Sequence, residues 1–411
     1  MGPHDNCNNP QFWCVFKFGV YWPMRRKILI GIAIFLLTAL VVFFGFVPAI
    51  VDKSRNTVRE KNTLLPPHAW YDSLSFVADL HCDELLWKRN LLKKHEYGHV
   101  DLPRLQEANI AFQVFTIVSK TPRNQNYDSN SDKTDNITLL SLAQLRPIST
   151  WFSLKARALN QCKQLHRYAG QSDGEFRVIE NAKQLQALIS DRRANRKLVG
   201  GMLGLEGAHC LENDVRNLDD FYQAGVRYIG LAHFFDNEWA GSAHGVEKYG
   251  LTDAGKRLVK KMDSLHILLD LAHASPKTIN DVFAFTTGPL IVSHTGVQGI
   301  CNNPRNLSDQ QLAELAKRDA LVGIGLWETA VCGADAAATA KSVRYAVDHI
   351  GIGKVVIGSD FDGAIEAPFD ITGFPLLVTA LEKEGFSKTE IEKILGGNTR
   401  DFLLRNLPEG Q

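Results

Sequence analysis

The sequence predicts an α/β fold: a (β/α)8 barrel of the TIM type, preceded by one N-terminal transmembrane helix. Three observations predict it. Eight short apolar runs recur after residue 74, amphipathic stretches separate most of them, and no GxGxxG follows the first run. Near-continuous apolar runs fit parallel strands covered on both faces. Eight of them alternating with helices suit a closed barrel. An open doubly wound sheet competes, but the missing glycine fingerprint counts against it.

Composition sets the outer limits. The 411 residues carry a formal net charge of +1 and 45% apolar residues, an ordinary globular balance. No basic tract follows the short one near the N-terminus, so no nucleic-acid partner is expected. Residues 1–27 form the expected cytoplasmic segment, and Met24-Arg25-Arg26-Lys27 reads as a natural start for a signal anchor. Residues 28–51 are 24 uncharged positions between Lys27 and Asp52, long enough to span a bilayer. The preceding basic residues put the N-terminus in the cytoplasm and the remainder outside. An uncleaved signal anchor is preferred to a cleaved signal peptide, because the run is long and no small-x-small site follows. Residues 52–72, polar and ending near Pro66-Pro67, read as a tether, and 73–411 as the folded domain.

The predicted strands lie within 75–83, 110–118, 198–207, 226–234, 266–275, 288–296, 320–328 and 354–363. Helices are expected over 251–264 with Thr252 as N-cap, over 308–319 from Ser308, and over 339–351 ending at glycine. The interval 119–197 holds a polar loop and at least two helices, and two more helices follow the last strand. Five cysteines lie beyond the anchor, so at least one is unpaired in a monomer, and spacing alone assigns no disulfide.

Barrel chemistry sits at the C-terminal strand ends. Here those ends carry His81 and Asp83, then Glu206, His233, His273, His294 and Asp360. His81 and Asp83 alternate, so they share a face about 6–7 Å apart, and Cys82 between them points away. Singly, each has a bland explanation: His233 as a satisfied rim histidine, Glu206 as a helix cap, Asp360 and Asp362 as turn formers. Together, four histidines and three carboxylates on one rim are costly to bury uncompensated. A metal site resolves the crowding. Imidazole with carboxylate suits zinc and other late first-row ions. The ligands outnumber those of one tetrahedral zinc, which points to two metals sharing a carboxylate.

These residues resemble the membrane dipeptidase (renal dipeptidase) family of zinc metallopeptidases. The pieces are DLHCD at 79–83, VDLPRL at 100–105, GLEG at 204–207 and LAHFFDN at 231–237. GLTDAGKRLV at 250–259, DLAHAS at 270–275, SHTGVQGICNNPRNL at 293–307 and IGSDFDG at 357–363 complete them, in order, across about 73–405. The resemblance implies two zinc ions, one held by His81 and Asp83 and one by His273 and His294, with Glu206 bridging. It implies a hydroxide between the metals that attacks the peptide carbonyl of a dipeptide. Asp360 would be the acid/base, His233 the residue that binds substrate and stabilises the oxyanion, and Arg305 the holder of the substrate carboxylate.

Some positions depart from the family. Phe234 stands where many members have asparagine, and WET at 327–329 lies at a strand end near the site; both bear on substrate preference. The ending RDFLLRNLPEGQ has no apolar tail, so the C-terminal lipid anchor of mammalian members is not expected. The catalytic domain is expected to face the periplasm from a bacterial inner membrane, an arrangement that tolerates a homodimer. A related dinuclear amidohydrolase acting on N-acyl amino acids, lactams or D-amino-acid amides is the competing enzyme. A binding protein that keeps the scaffold without turnover is the competing non-enzyme, and the intact ligand set argues against it.

Overall fold

The computed structural model describes residues 21–59, 68 and 70–410. Residues 1–20 of the expected cytoplasmic segment and 60–67 and 69 of the expected tether lie outside the described residues. The described residues form two compact units, divided between Val47 and Pro48. In the first, helix α1 (Tyr21–Gly45) has 25 residues and reaches about 37 Å at ~1.5 Å per residue, enough for a bilayer's hydrocarbon core. Its apolar side chains, Leu29, Phe35 and Leu37 among them, are exposed. By length and composition it serves equally as a signal sequence or an anchor.

The second unit holds eight parallel strands in chain order: β1 (Val77–Cys82), β2 (Ile110–Ile117), β3 (Val199–Leu205), β4 (Val226–Gly230), β5 (Leu268–Asp270), β6 (Leu290–Thr295), β7 (Ala320–Ile324) and β8 (Val355–Ile357). All eight fall inside the predicted runs. Each pairs with its sequence neighbour, and the barrel is nearly closed. One set of strand side chains, including Leu80, Phe112, Met202 and Tyr228, fills the interior, with Phe402 and Leu403 of the last helix packed against it. The other set, including Phe115, Leu203, Ile229 and Val322, packs under the surrounding helices.

Capping matches the sequence. Thr252 accepts from Gly255 N at 3.0 Å to open Asp253–Ser264, and Ser308 with Gln311 forms a capping box on Asp309–Ala316. Gly351, at φ 86°, ends Ala336–Ile350. Three features were not anticipated. A short strand, Phe176–Val178, pairs beside β3. The segment after the last strand folds as Phe374–Lys383, Lys388–Glu392 and Asn398–Asn406. The expected tether also begins as folded structure: helix α2 (Val47–Arg55) buries Asp52, and Thr57–Val58 pairs in parallel with Glu366–Ala367.

The barrel's seam, between β1 and β8, is closed by side chains as much as by backbone. Asp83 N donates to Phe361 O at 2.8 Å. The Asp79 carboxylate accepts from Ser359 N, Ser359 Oγ and Gln113 Nε2, each at 2.7 Å. Asp79→Ala leaves Ser359 N without its acceptor, while Ser359 Oγ and Gln113 Nε2 keep His81 O and Val114 O, and should cost about 1–3 kcal/mol of stability, and Asp79→Asn less. Denaturant unfolding checks this; an Asp79→Ala protein as stable as the parent would show that the seam closes without it.

Candidate metal centre

The strand that opens the site does not alternate simply. Asp79 pairs with Gln113 and Cys82 with Phe115, so β1 uses three residues where β2 uses two. This bulge re-aims the chain. Asp79 is left on the seam, His81 and Asp83 enter the site, and the Cys82 side chain is buried in the layer beneath the helices. The shared face expected of His81 and Asp83 is therefore reached, with a bulge that strict alternation did not foresee.

Glu206, just past β3, is the hub. Its Oε1 lies 3.0 Å from His273 Nε2, 3.5 Å from His81 Nε2 and 3.5 Å from His294 Nε2. Its Oε2 lies 3.4 Å from His233 Nε2. His81 Nε2 also lies 3.6 Å from Asp83 Oδ1 and 3.8 Å from Asp360 Oδ1. All are buried except Asp360, whose side chain is 13% exposed. Three overlapping donor groups result: His81, Glu206 and His294; Glu206, His233 and His273; His81, Asp83 and Asp360. Glu206 is common to two of them. His273 and Asp360 take left-handed backbone, φ 61° and 62°, so strain collects at the site.

A second layer, not singled out from the sequence, fixes the imidazoles. Ser293 Oγ donates its one proton to Asp270 Oδ2 at 2.6 Å. It can then only accept from its other neighbours, His294 Nδ1 at 3.0 Å and His81 Nδ1 at 3.2 Å. Tyr228 OH, which donates to Leu80 O at 3.2 Å, is a further acceptor 3.4 Å from His81 Nδ1. Both rings thus carry hydrogen on Nδ1 and turn Nε2 into the site. A Cβ on Gly204 would overlap the Tyr228 ring, so glycine is needed there. Thr116 Oγ1 hydrogen-bonds Asp83 Oδ1. The signal in the sequence was a polar residue inside each of two apolar runs, Asp270 and Ser293.

Electrostatics agree with a site built for cations. Burial, then the charge of Asp83, pushes Glu206 well above the usual carboxylate range. Burial also raises Asp360 to about 8. His81 is disfavoured as a cation by burial, but Glu206, Asp83 and Asp360 outweigh that and raise it to about 10. Burial holds His233, His273 and His294 well below their ordinary value, in the neutral form that ligates metals.

The residues fit a metal on three counts. The buried His81 Nε2 has no hydrogen-bond partner, although three carboxylates face it. Two donors each ~2.1 Å from one tetrahedral ion stand about 3.4 Å apart. The 3.0–3.8 Å separations here are of that kind. His273 Nε2 and His294 Nε2 face each other at 2.9 Å, close enough for one ion to take both.

Arg305 is buried beside this cluster. Its Nη2 donates to His294 O at 2.7 Å, and its Nε has no partner. Trp327 packs 5.6 Å from His294, and Phe234 stacks 4.5 Å from His244 and lies 5.2 Å from His273. Cys301 and Cys332 form a disulfide that ties the Arg305 loop to the loop after β7, and Cys82, Cys162 and Cys210 are free and buried. Ser293→Ala removes the acceptor shared by His81 and His294, and should weaken metal binding about 10–100-fold. Competition with a chromophoric chelator measures it; unchanged affinity would mean that the rings are held by other contacts.

Comparison with known proteins agrees with this geometry. Residues 73–405 match the family described as membrane dipeptidase (peptidase family M19). Dipeptidase aclJ of Aspergillus oryzae is 27% identical over 348 residues, 80% of this chain and 77% of that protein. An uncharacterized dipeptidase of Schizosaccharomyces pombe is 26% identical over 319 residues, 75% of this chain and 73% of its own. A metallopeptidase from Rhodobacter sphaeroides, crystallised with a phosphinate mimic of the dipeptide L-Ala-D-Ala, superposes with a TM-score of 0.68 at 25% identity, covering 81% of this chain and 99% of that one. The chain belongs to the membrane dipeptidase family, peptidase family M19, and is a metallopeptidase that hydrolyses dipeptides.

Proposed function

We propose that this chain is a membrane-anchored dizinc dipeptidase whose catalytic domain lies outside the cytoplasm. The observation that carries the metal reading is Glu206, with imidazole nitrogens of His81, His273 and His294 within 3.5 Å of one oxygen. His81 and Asp83 would hold one zinc, His273 and His294 the other, and Glu206 would bridge. When bound, such a pair acidifies a water and polarises the scissile carbonyl.

The remaining steps belong to side chains. Asp360, its Oδ1 3.8 Å from His81 Nε2 at the edge of the cluster, is suited to take a proton from the attacking water and return it to the leaving amine. His233, its Nε2 held 3.4 Å from Glu206 Oε2, is placed to donate to the oxyanion as it forms. Arg305 spends one Nη on His294 O and keeps Nε free, so its guanidinium can receive the substrate's C-terminal carboxylate. That requirement selects dipeptides with a free carboxyl end. The dipeptide mimic bound by the Rhodobacter sphaeroides relative has a D residue second, which supports a D-configured residue at that position here.

The anchor reading rests on α1 and the basic Arg25, Arg26 and Lys27 before its apolar stretch. The Cys301–Cys332 disulfide supports an oxidising compartment for the domain. Phe234 favours a second substrate class for testing. Its ring, stacked on His244 and near His273, adds an apolar wall suited to the acyl group of an N-acyl amino acid.

A panel of L,L and L,D dipeptides, dipeptide amides and N-acyl amino acids tests the reading. Dipeptides with a free carboxylate should be turned over, and their amides should not. Arg305→Ala should lower kcat/KM about 10²–10³-fold, mostly through KM, if it holds a carboxylate in the ground state as in the transition state. Asp360→Asn should lower kcat about 10²–10⁴-fold at unchanged zinc content. Amides hydrolysed as fast as free dipeptides would remove Arg305 from its role, and N-acyl amino acids as the sole substrates would favour the alternative.

A further inference from the structure

The family match begins at residue 73, yet the domain's fold begins earlier. Asp52 on α2 and Arg89 are both buried, and Arg89 Nε donates to Asp52 Oδ2 at 2.9 Å. The same guanidinium pairs through Nη2 with Asp362 Oδ1 at 2.7 Å and donates through Nη1 to Val100 O at 3.3 Å. Asp362 also receives His99 N at 2.8 Å and Val100 N at 3.1 Å. It lies two residues after Asp360, in the loop that leaves β8.

The tie is repeated along the segment. Asn56 Nδ2 donates to Asp52 Oδ1 at 2.8 Å, and Asn56 Oδ1 accepts from Ala364 N at 2.9 Å. Thr57 N donates to Ile365 O at 3.1 Å and Arg59 N to Ala367 O at 2.9 Å. His99 Nδ1 accepts from Asp362 N at 2.9 Å, so the proton on Nε2 is donated to Thr57 O, 2.9 Å away. Residues 52–59 therefore grip residues 362–367 through a buried charge pair, a buried amide, an imidazole and a short parallel ladder.

We propose that Asp52, outside the family-matched domain, is a positioning residue for Asp360, acting through Arg89 and Asp362. The inference rests on the proposed role of Asp360. A guanidinium clamped between two carboxylates has one place to sit, and Asp362 is fixed by it. Without Asp52, the Nε donor loses its partner and the guanidinium can move, and the turn that aims Asp360 moves with it. The juxtamembrane segment is then part of the catalytic apparatus and not a passive leash.

The test uses the full-length, zinc-loaded protein in detergent. Asp52→Ala should lower kcat for a dipeptide about tenfold, with KM within about twofold and zinc content unchanged. Asp52→Glu should recover part of that loss. Asn56→Ala, which strands no buried charge, should lower kcat in the same direction by a smaller factor. Backbone amides of residues 359–364 should exchange hydrogen faster in Asp52→Ala while the other strand ends stay protected. Parent-like kcat in both alanine variants would overturn the proposal. So would an Asp52→Ala loss that tracks lost zinc or global unfolding while Asn56→Ala behaves as parent. If the parent turns over no dipeptide, the functional reading fails by itself. Exchange at 359–364 then decides the positioning link: acceleration supports it and no change overturns it.

Discussion

Ser293 has one proton to give, and it goes to Asp270. That single donation forces the hydroxyl to accept from His81 and His294, and so orients two imidazoles from strands on different sides of the barrel. Their Nε2 atoms then converge on Glu206, where His273 joins them. Burying four histidines and three carboxylates in one place is tolerable only if the charges and lone pairs are matched. Two shared cations would do that, and the serine decides that the nitrogens face them.

The barrel separates the work of stability from the work of chemistry. At one end of its interior Leu80, Phe112, Met202 and Tyr228 pack with Phe402 and Leu403. At the other, the strand ends hold the strained backbone of His273 and Asp360 and the polar cluster. Tyr228 links the two, since its ring belongs to the apolar core and its hydroxyl reaches His81. This division is general for such barrels, whose rim loops can vary without unsettling the packed strands.

Much of this was legible in the sequence, and the rest was hidden for definable reasons. The eight strands were readable because each is an apolar run, and the ligands because six of those runs end in one chemistry. Asp79 could not be told from His81 by alternation, because the bulge that sends one to the seam and the other to the site leaves no local mark. Ser293 and Asp270 looked like ordinary core polar residues, since a relay across strands is invisible in one dimension. Residues 52–59 looked like a tether because their partners outside the segment lie 37 to 308 positions further along the chain. The Cys301–Cys332 pair likewise needed the fold to bring two loops together.

The central claim is that Glu206 holds two metals at once. Elemental analysis of the full-length protein, beside Glu206→Ala, measures it directly. The account predicts two zinc ions per chain in the parent and a clear loss in the variant, with the variant still folded by circular dichroism. One metal per chain in the parent, unaffected by the substitution, would contradict it and leave His273 and His294 without the role assigned to them.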